Sequence, residues 1–182
     1  GIFGTQFFFE VLSENGLHEL AAKVMGQRTQ PSYGWWIDQG ATTTWEQWNG
    51  TNSRNHPMFG GGIVWFYRKL AGMNADPACP GYKNIIFRPQ PAEGIDNASY
   101  SNLTAYGTAS ISWKKEKDKF MMEIEVPAGA TATVYVPASD RRVIRESGKK
   151  IKKARGIEFR GMEEGYSVFK VSSGEYKFVS IL

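Results

Sequence analysis

The sequence predicts an α-helical portion followed by an antiparallel β-sandwich, and three observations predict it. Apolar residues recur at about 3.6-residue spacing as far as Leu70, then at a spacing of about 2 from Tyr82 onward. In the second region, turn signals fall roughly every ten residues, as they do in sandwiches. Charge density changes with the pattern: residues 1–90 carry 7 Lys+Arg and 6 Asp+Glu, and residues 91–182 carry 15 and 12.

Residues 4–15 fit a helix in which Thr5 can cap and Phe8, Val11 and Leu12 share a face. Gly16 stops it. Leu17, Leu20, Ala21 and Val24 then carry a second helix, and the pair reads as an αα-hairpin. Phe7, Phe8 and Phe9 wrap more than one face of the first helix, so it expects neighbours on several sides. Pro31 ends this region. A tryptophan-rich loop with short extended pieces follows, because Thr42, Thr43 and Thr44 are β-branched. A third helix begins after Gly60-Gly61-Gly62, with Ile63, Phe66, Tyr67 and Leu70 on one face and Gly72 closing it. Asp76-Pro77 and Pro80-Gly81 read as a linker.

Strands are expected around Ile85–Phe87, Ala109–Trp113, Phe120–Val126 and Ala132–Val136. Later ones are expected near Val143–Ile144, Ile157–Phe159, Tyr166–Val171 and Tyr176–Val179. The charged stretch from Lys114 to Lys119 and the pair Ala128-Gly129 supply turns between them. The expected division is a helical part over 1–79 and a β-sandwich over 80–182.

The chemistry concentrates between Tyr33 and Gly60. Five of the six tryptophans lie between Trp35 and Trp65, and Glu46 stands between Trp45 and Trp48. The stretch is too polar and Gly-rich for a plain core element, and too aromatic for a solvated loop. Indole faces, one carboxylate and several Asn and Gln amides suit a sugar ring: its C–H face packs on aromatics and its hydroxyls need planar polar partners. Glu46, partly desolvated by its flanking indoles, is the candidate base of a glycoside hydrolysis, or else a helix-capping or ion-pairing glutamate. Such a reaction needs a second carboxylate, and Asp38 is the nearest within the window. His56 precedes Pro57, which holds its backbone extended, and could meet a sugar hydroxyl.

Other classes find less support. Without a Cys or carboxylate cluster at ligand spacing, no metal or cofactor is expected. Cys79 is the single cysteine, so no internal disulfide forms. No apolar run nears the length of a membrane span, and no membrane partner is expected. Arg141 to Arg155 holds eight basic residues opposed only by Glu146. It lacks the interleaved aromatics of a base-stacking surface, so no nucleic-acid partner is expected, and it reads first as a solvated hairpin.

Gly40 to Trp48, G-A-T-T-T-W-E-Q-W, followed by N-H-P-M-F-G from Asn55 to Gly60, resembles the bacterial α-L-rhamnosidases of glycoside hydrolase family 78. The opening G-I-F-G-T-Q-F, the later F-Y-R-K-L-A-G (Phe66 to Gly72), P-G-Y-K-N-I-I-F-R-P (Pro80 to Pro89) and Y-G-T-A-S-I-S-W (Tyr106 to Trp113) fit the same family in the same order. The resemblance extends to about Val136 and is weak beyond Arg141. It implies that residues 1–79 are the last helices of an (α/α)6 barrel and residues 80–182 a C-terminal β-sandwich. It implies an inverting hydrolase that removes terminal α-L-rhamnose from a rhamnose-containing glycoside. Glu46 then matches the general base and His56 a histidine lining the sugar pocket, with Trp45 and Trp48 as pocket walls. The family's general acid lies on barrel helices outside this chain, so the chain alone is expected to be inactive and to self-associate through exposed barrel surface. The alternative reading is a carbohydrate-binding module without catalysis. The compartment stays open.

Overall fold

The computed structural model describes residues 1–182. They form two compact units, Gly1–Phe66 and Tyr67–Leu182.

The first unit opens with helices α1 (Ile2–Glu14) and α2 (His18–Met25), the expected hairpin. Gly16, at φ +77°, makes the turn between them. A polar relay inside the hairpin joins it to helix α4 (Gly61–Trp65). The Trp65 indole N–H donates to Ser13 Oγ at 2.8 Å, and Ser13 Oγ lies 2.8 Å from His18 Nδ1. The hydroxyl accepts from the indole and shares a second hydrogen bond with the imidazole, so one side chain links the three. Trp65 is fully buried, and the His18 ring stacks on it at 5.1 Å.

Between the hairpin and α4 the outcome differs from the sequence expectation. Tyr33–Asp38 is a helix, α3, not loop. Ser32 Oγ accepts from the Trp35 N–H at 2.9 Å and caps it, an N-cap signal that outweighs the aromatic, Gly-containing composition. Residues 39–56 form irregular structure, and a 3-10 turn at Pro57–Gly60 leads into α4. The third helix occurs as expected but changes type, with a π turn over Phe66–Leu70.

The second unit is a two-sheet sandwich. Its strands are β1 (Met73–Ala75), β2 (Asn84–Phe87), β3 (Asn97–Thr104), β4 (Gly107–Glu116), β5 (Lys119–Val126), β6 (Thr131–Pro137), β7 (Arg145–Glu146), β8 (Lys149–Lys150), β9 (Ile157–Glu163), β10 (Tyr166–Val171) and β11 (Gly174–Ile181). One sheet has the order β1-β2-β6-β10-β9, the other β3-β4-β5-β11-β7-β8. Every pairing is antiparallel except β2 with β6, which run parallel from Asn84↔Thr131 to Phe87↔Val134. Alternation puts Ile85, Phe87, Val134 and Phe169 of one sheet against Ile111, Trp113, Met122 and Phe178 of the other, all buried. The Phe169 and Phe178 rings meet at 6.1 Å. Burying each such side chain contributes about 1.5–3 kcal/mol.

Strand β1 precedes the Asp76–Gly81 stretch, and that stretch carries an Asp76–Cys79 bridge instead of being a free linker. Val143–Ile144 is not a strand. Asp140 caps a 3-10 turn over Arg141–Val143, and pairing starts at Arg145. Strand β3 has no counterpart among the expected strands. As an edge strand with one solvated face, its N-A-S-Y-S-N-L-T alternates exposed with half-buried residues and shows no apolar stripe.

Candidate functional site

Helix α3 and the loop behind it stack their aromatics around Trp36. Its ring is buried and lies 4.4 Å from Trp48, 5.6 Å from Trp45 and 5.3 Å from Phe59. Its indole N–H donates to the Trp48 carbonyl at 3.0 Å. Trp48 also meets Phe59 at 4.4 Å and Tyr33 at 5.4 Å.

Two stretches of the loop run side by side and fix which way each side chain points. The His56 N–H donates to Thr44 O at 2.8 Å, and the Glu46 N–H to Ser53 O at 2.8 Å. Thr44 Oγ1 donates to His56 O at 2.5 Å. This pairing sends neighbouring side chains apart. Trp45 turns inward, 4% exposed, with Gly50 against one part of its ring and the Arg54 guanidinium 4.6 Å from its centre. Glu46 turns the other way, is half-buried, and its Oε2 accepts the Ser53 N–H at 3.1 Å.

Glu46 lines a concavity of about 680 Å³ together with Trp48, Gln47, Asn49, Gln30 and Phe59. Of the four residues singled out in the sequence, Glu46 and Trp48 therefore share this surface. Trp45 sits beneath it in the core cluster. His56 is half-buried and does not line it; its Nδ1 is buried without a protein partner. Asp38 is engaged elsewhere, in an ion pair with Arg28. Gln30 joins the concavity from a distant part of the sequence, and no local signal marked it. No group of three or more His, Cys, Asp or Glu side chains gathers at metal-ligating geometry, and no helix is long and apolar enough to cross a membrane.

A second concavity, about 530 Å³, lies on the outward face of the six-stranded sheet. Two of its four charges pair with each other, Lys177 with Glu123 at 3.1 Å, and Ser110 donates to Glu125 at 3.4 Å. The surface at Glu46 offers both an aromatic wall and a carboxylate.

Burial pushes the Tyr33 phenol up to about 12, offset in part by a backbone hydrogen bond at Gly62. Its hydroxyl donates to Phe59 O. A raised folded value means that stability is intact below the unfolded value near 10 and is lost as pH rises through about 12. The unfolding midpoint followed by tryptophan fluorescence, which reports mainly on the first unit, is expected to fall between about pH 10 and 12. Tyr33→Phe should flatten that fall; an unchanged slope would rule Tyr33 out as its source.

Trp48 beside one carboxylate and three side-chain amides is a lining whose chemistry suits a sugar ring. Family models make this specific. Residues 1–70 match the bacterial α-L-rhamnosidase six-hairpin glycosidase domain, and residues 72–151 match the bacterial α-L-rhamnosidase C-terminal domain. The chain belongs to the bacterial α-L-rhamnosidase family.

An α-L-rhamnosidase of Streptomyces avermitilis is 31% identical over 98% of this chain, which covers 17% of that relative. One from Formosa agariphila is 29% identical over 98% of this chain and 20% of the relative. Among solved structures, the α-L-rhamnosidase from Dictyoglumus thermophilum superposes with a TM-score of 0.87 at 38% identity, over 100% of this chain and 21% of that one. The Streptomyces avermitilis α-L-rhamnosidase complexed with L-rhamnose gives 0.88 at 30% identity, over 98% and 18%. The chain thus spans about a fifth of the length of the relatives it matches.

Proposed function

We propose that this chain forms the C-terminal part of an inverting α-L-rhamnosidase and supplies its general base. The observation that carries the reading is the Glu46 carboxylate, half-buried and oriented by the Ser53 N–H, on the same concavity as Trp48 and three side-chain amides. Glu46 removes a proton from the attacking water, Trp48 walls the apolar face of the rhamnose ring, and Trp45 holds the loop from below. His56 lies off this concavity with its Nδ1 buried, so this reading gives it no contact with the sugar. The substrate is a rhamnose-containing glycoside.

Inversion requires a partner acid roughly 6.5–9.5 Å from the base, across the sugar. We assign that acid to the part of the enzyme this chain does not span, so the chain alone binds weakly and does not turn over. The test is Glu46→Gln in a full-length enzyme, assayed on an aryl α-L-rhamnoside. Lost turnover with retained rhamnose binding supports the base. Unchanged turnover overturns the base assignment.

The first unit also carries an apolar stripe. Phe3, Phe7 and Val11 follow one another at i, i+4, i+8 along α1, exposed by 74%, 58% and 51%. Barrel helices are the proposed cover, and the isolated 20.4 kDa chain is expected to self-associate through this stripe. Light scattering should give a mass above the monomer, and Phe7→Ser with Val11→Ser should return it to monomer. A monomer without these changes would refute the association.

A further inference from the structure

The segment Arg141–Arg155 contains the expected hairpin with its lysines exposed, and the hairpin is anchored to a sheet. Strand β7 pairs with β11 through Arg145↔Val179 and Glu146↔Phe178, and β8 pairs with β7, so the hairpin forms the outer edge of the six-stranded sheet. Ile144 is fully buried and Ile151 is 8% exposed, and the Ile151 N–H bonds back to Ile144 O at 3.3 Å. Two apolar pins therefore hold a platform in place while its cations face out.

Those cations lack anions. Lys149, Lys150, Lys152, Lys153 and Arg155 are all exposed, and none makes an ion pair. The two acids nearby are occupied: Asp140 caps the 3-10 turn and pairs with Arg142 at 2.7 Å, and Glu146 accepts from Ser147 Oγ at 2.6 Å. Five unpaired positive charges within seven residues repel one another, and that repulsion is relieved when a polyanion lies along them.

We infer that this edge is a docking surface for an anionic polysaccharide, one bearing uronate carboxylates or sulfate esters, which it holds while the catalytic part works on rhamnose in the same polymer. The choice of a polysaccharide over another polyanion rests on the rhamnosidase reading. The local chemistry agrees with it. A single-stranded nucleic acid needs open aromatic faces for its bases. The neighbouring aromatic, Phe159, already has the Arg141 guanidinium 4.4 Å from its ring centre. Lysine ammonium groups act as mobile point charges, suited to carboxylates or sulfates spaced along a flexible chain.

The experiment is calorimetric titration of the whole chain with polygalacturonate, dextran sulfate, neutral dextran and single-stranded DNA, at low and at physiological salt. The expected result is salt-sensitive binding of polygalacturonate or dextran sulfate, and none of neutral dextran. The tighter of the two binders identifies carboxylate or sulfate as the recognised group. Changing Lys149, Lys150, Lys152 and Lys153 together to Gln should weaken binding about tenfold or more. A control with the same change in net charge, Lys23, Lys115, Lys117 and Lys119 to Gln, should bind as the unchanged chain does. Equal loss in both variants, no loss in the hairpin variant, or tighter binding of DNA than of either polysaccharide would overturn the proposal. None of these readouts involves Glu46 or turnover, so failure of the base assignment and failure of this surface are told apart.

Discussion

Glu46→Gln in a full-length enzyme is expected to lower kcat on an aryl α-L-rhamnoside by about 10²–10⁴, the range a positioned general base contributes. The change is nearly isosteric. The remaining side-chain oxygen can still accept the Ser53 N–H, so the pairing of Thr44–Glu46 with Ser53–His56 should persist. What disappears is the ability to take a proton from water. Rhamnose affinity should then hold while kcat and kcat/KM fall together, the pattern of an interaction made only in the transition state. A fall in rhamnose affinity with kcat unchanged would instead describe a binding glutamate, and the base role would be lost.

Gly72→Ala should be the most damaging single-methyl change in the sandwich unit. Gly72 sits at φ +87°, and a Cβ there would lie 2.3 Å from Arg88 C and from Pro89 N, both backbone atoms. Neither segment can give way easily, because the Arg88 N–H donates to Gly72 O at 2.7 Å and the Gly72 N–H donates to Tyr67 O at 3.0 Å. Backbone strain and overpacking together are expected to cost about 3–5 kcal/mol. For a unit of this size, that lowers Tm on the order of 10 °C or more. Gly81→Ala is the matched control: its φ is +78°, but nothing lies within 4 Å of the added Cβ. It should cost about 1 kcal/mol. Equal shifts in Tm for the two would mean that close approach to Arg88 plays no part.

Much of this fold is legible in the sequence, because most of its elements bury one face and therefore repeat with a period. Strands β5 and β6 alternate apolar and polar residues almost without fault, and α1 and α2 are bounded by Gly16. Elements that bury little leave no such trace. Strand β3 hides behind serines and asparagines, and the two-residue strands β7 and β8 are too short for any period. Helix α3 shows the opposite limit, where one hydroxyl cap decides a segment whose composition points elsewhere.

The site is legible in kind but not in direction. The clustering of a glutamate with tryptophans and side-chain amides, on which the proposed sugar surface rests, can be read from the sequence alone. That Trp45 lies inside and Trp48 on the rim follows from hydrogen bonds between residues seven to twelve apart, which composition does not encode. Gln30 reaches the same surface through the fold of the whole helical unit.

The parallel pair β2–β6 sets an order of assembly. Asn84–Phe87 has no partner on its inner side until the chain returns at Thr131, after β3, β4 and β5 have been made. Those three strands form a meander of local contacts that can close quickly, whereas the parallel register must wait for a loop of more than forty residues to be drawn shut. During synthesis, β2 therefore emerges early and stays an open template, so a ribosomal pause ahead of Thr131 leaves it free to recruit a strand from another nascent chain.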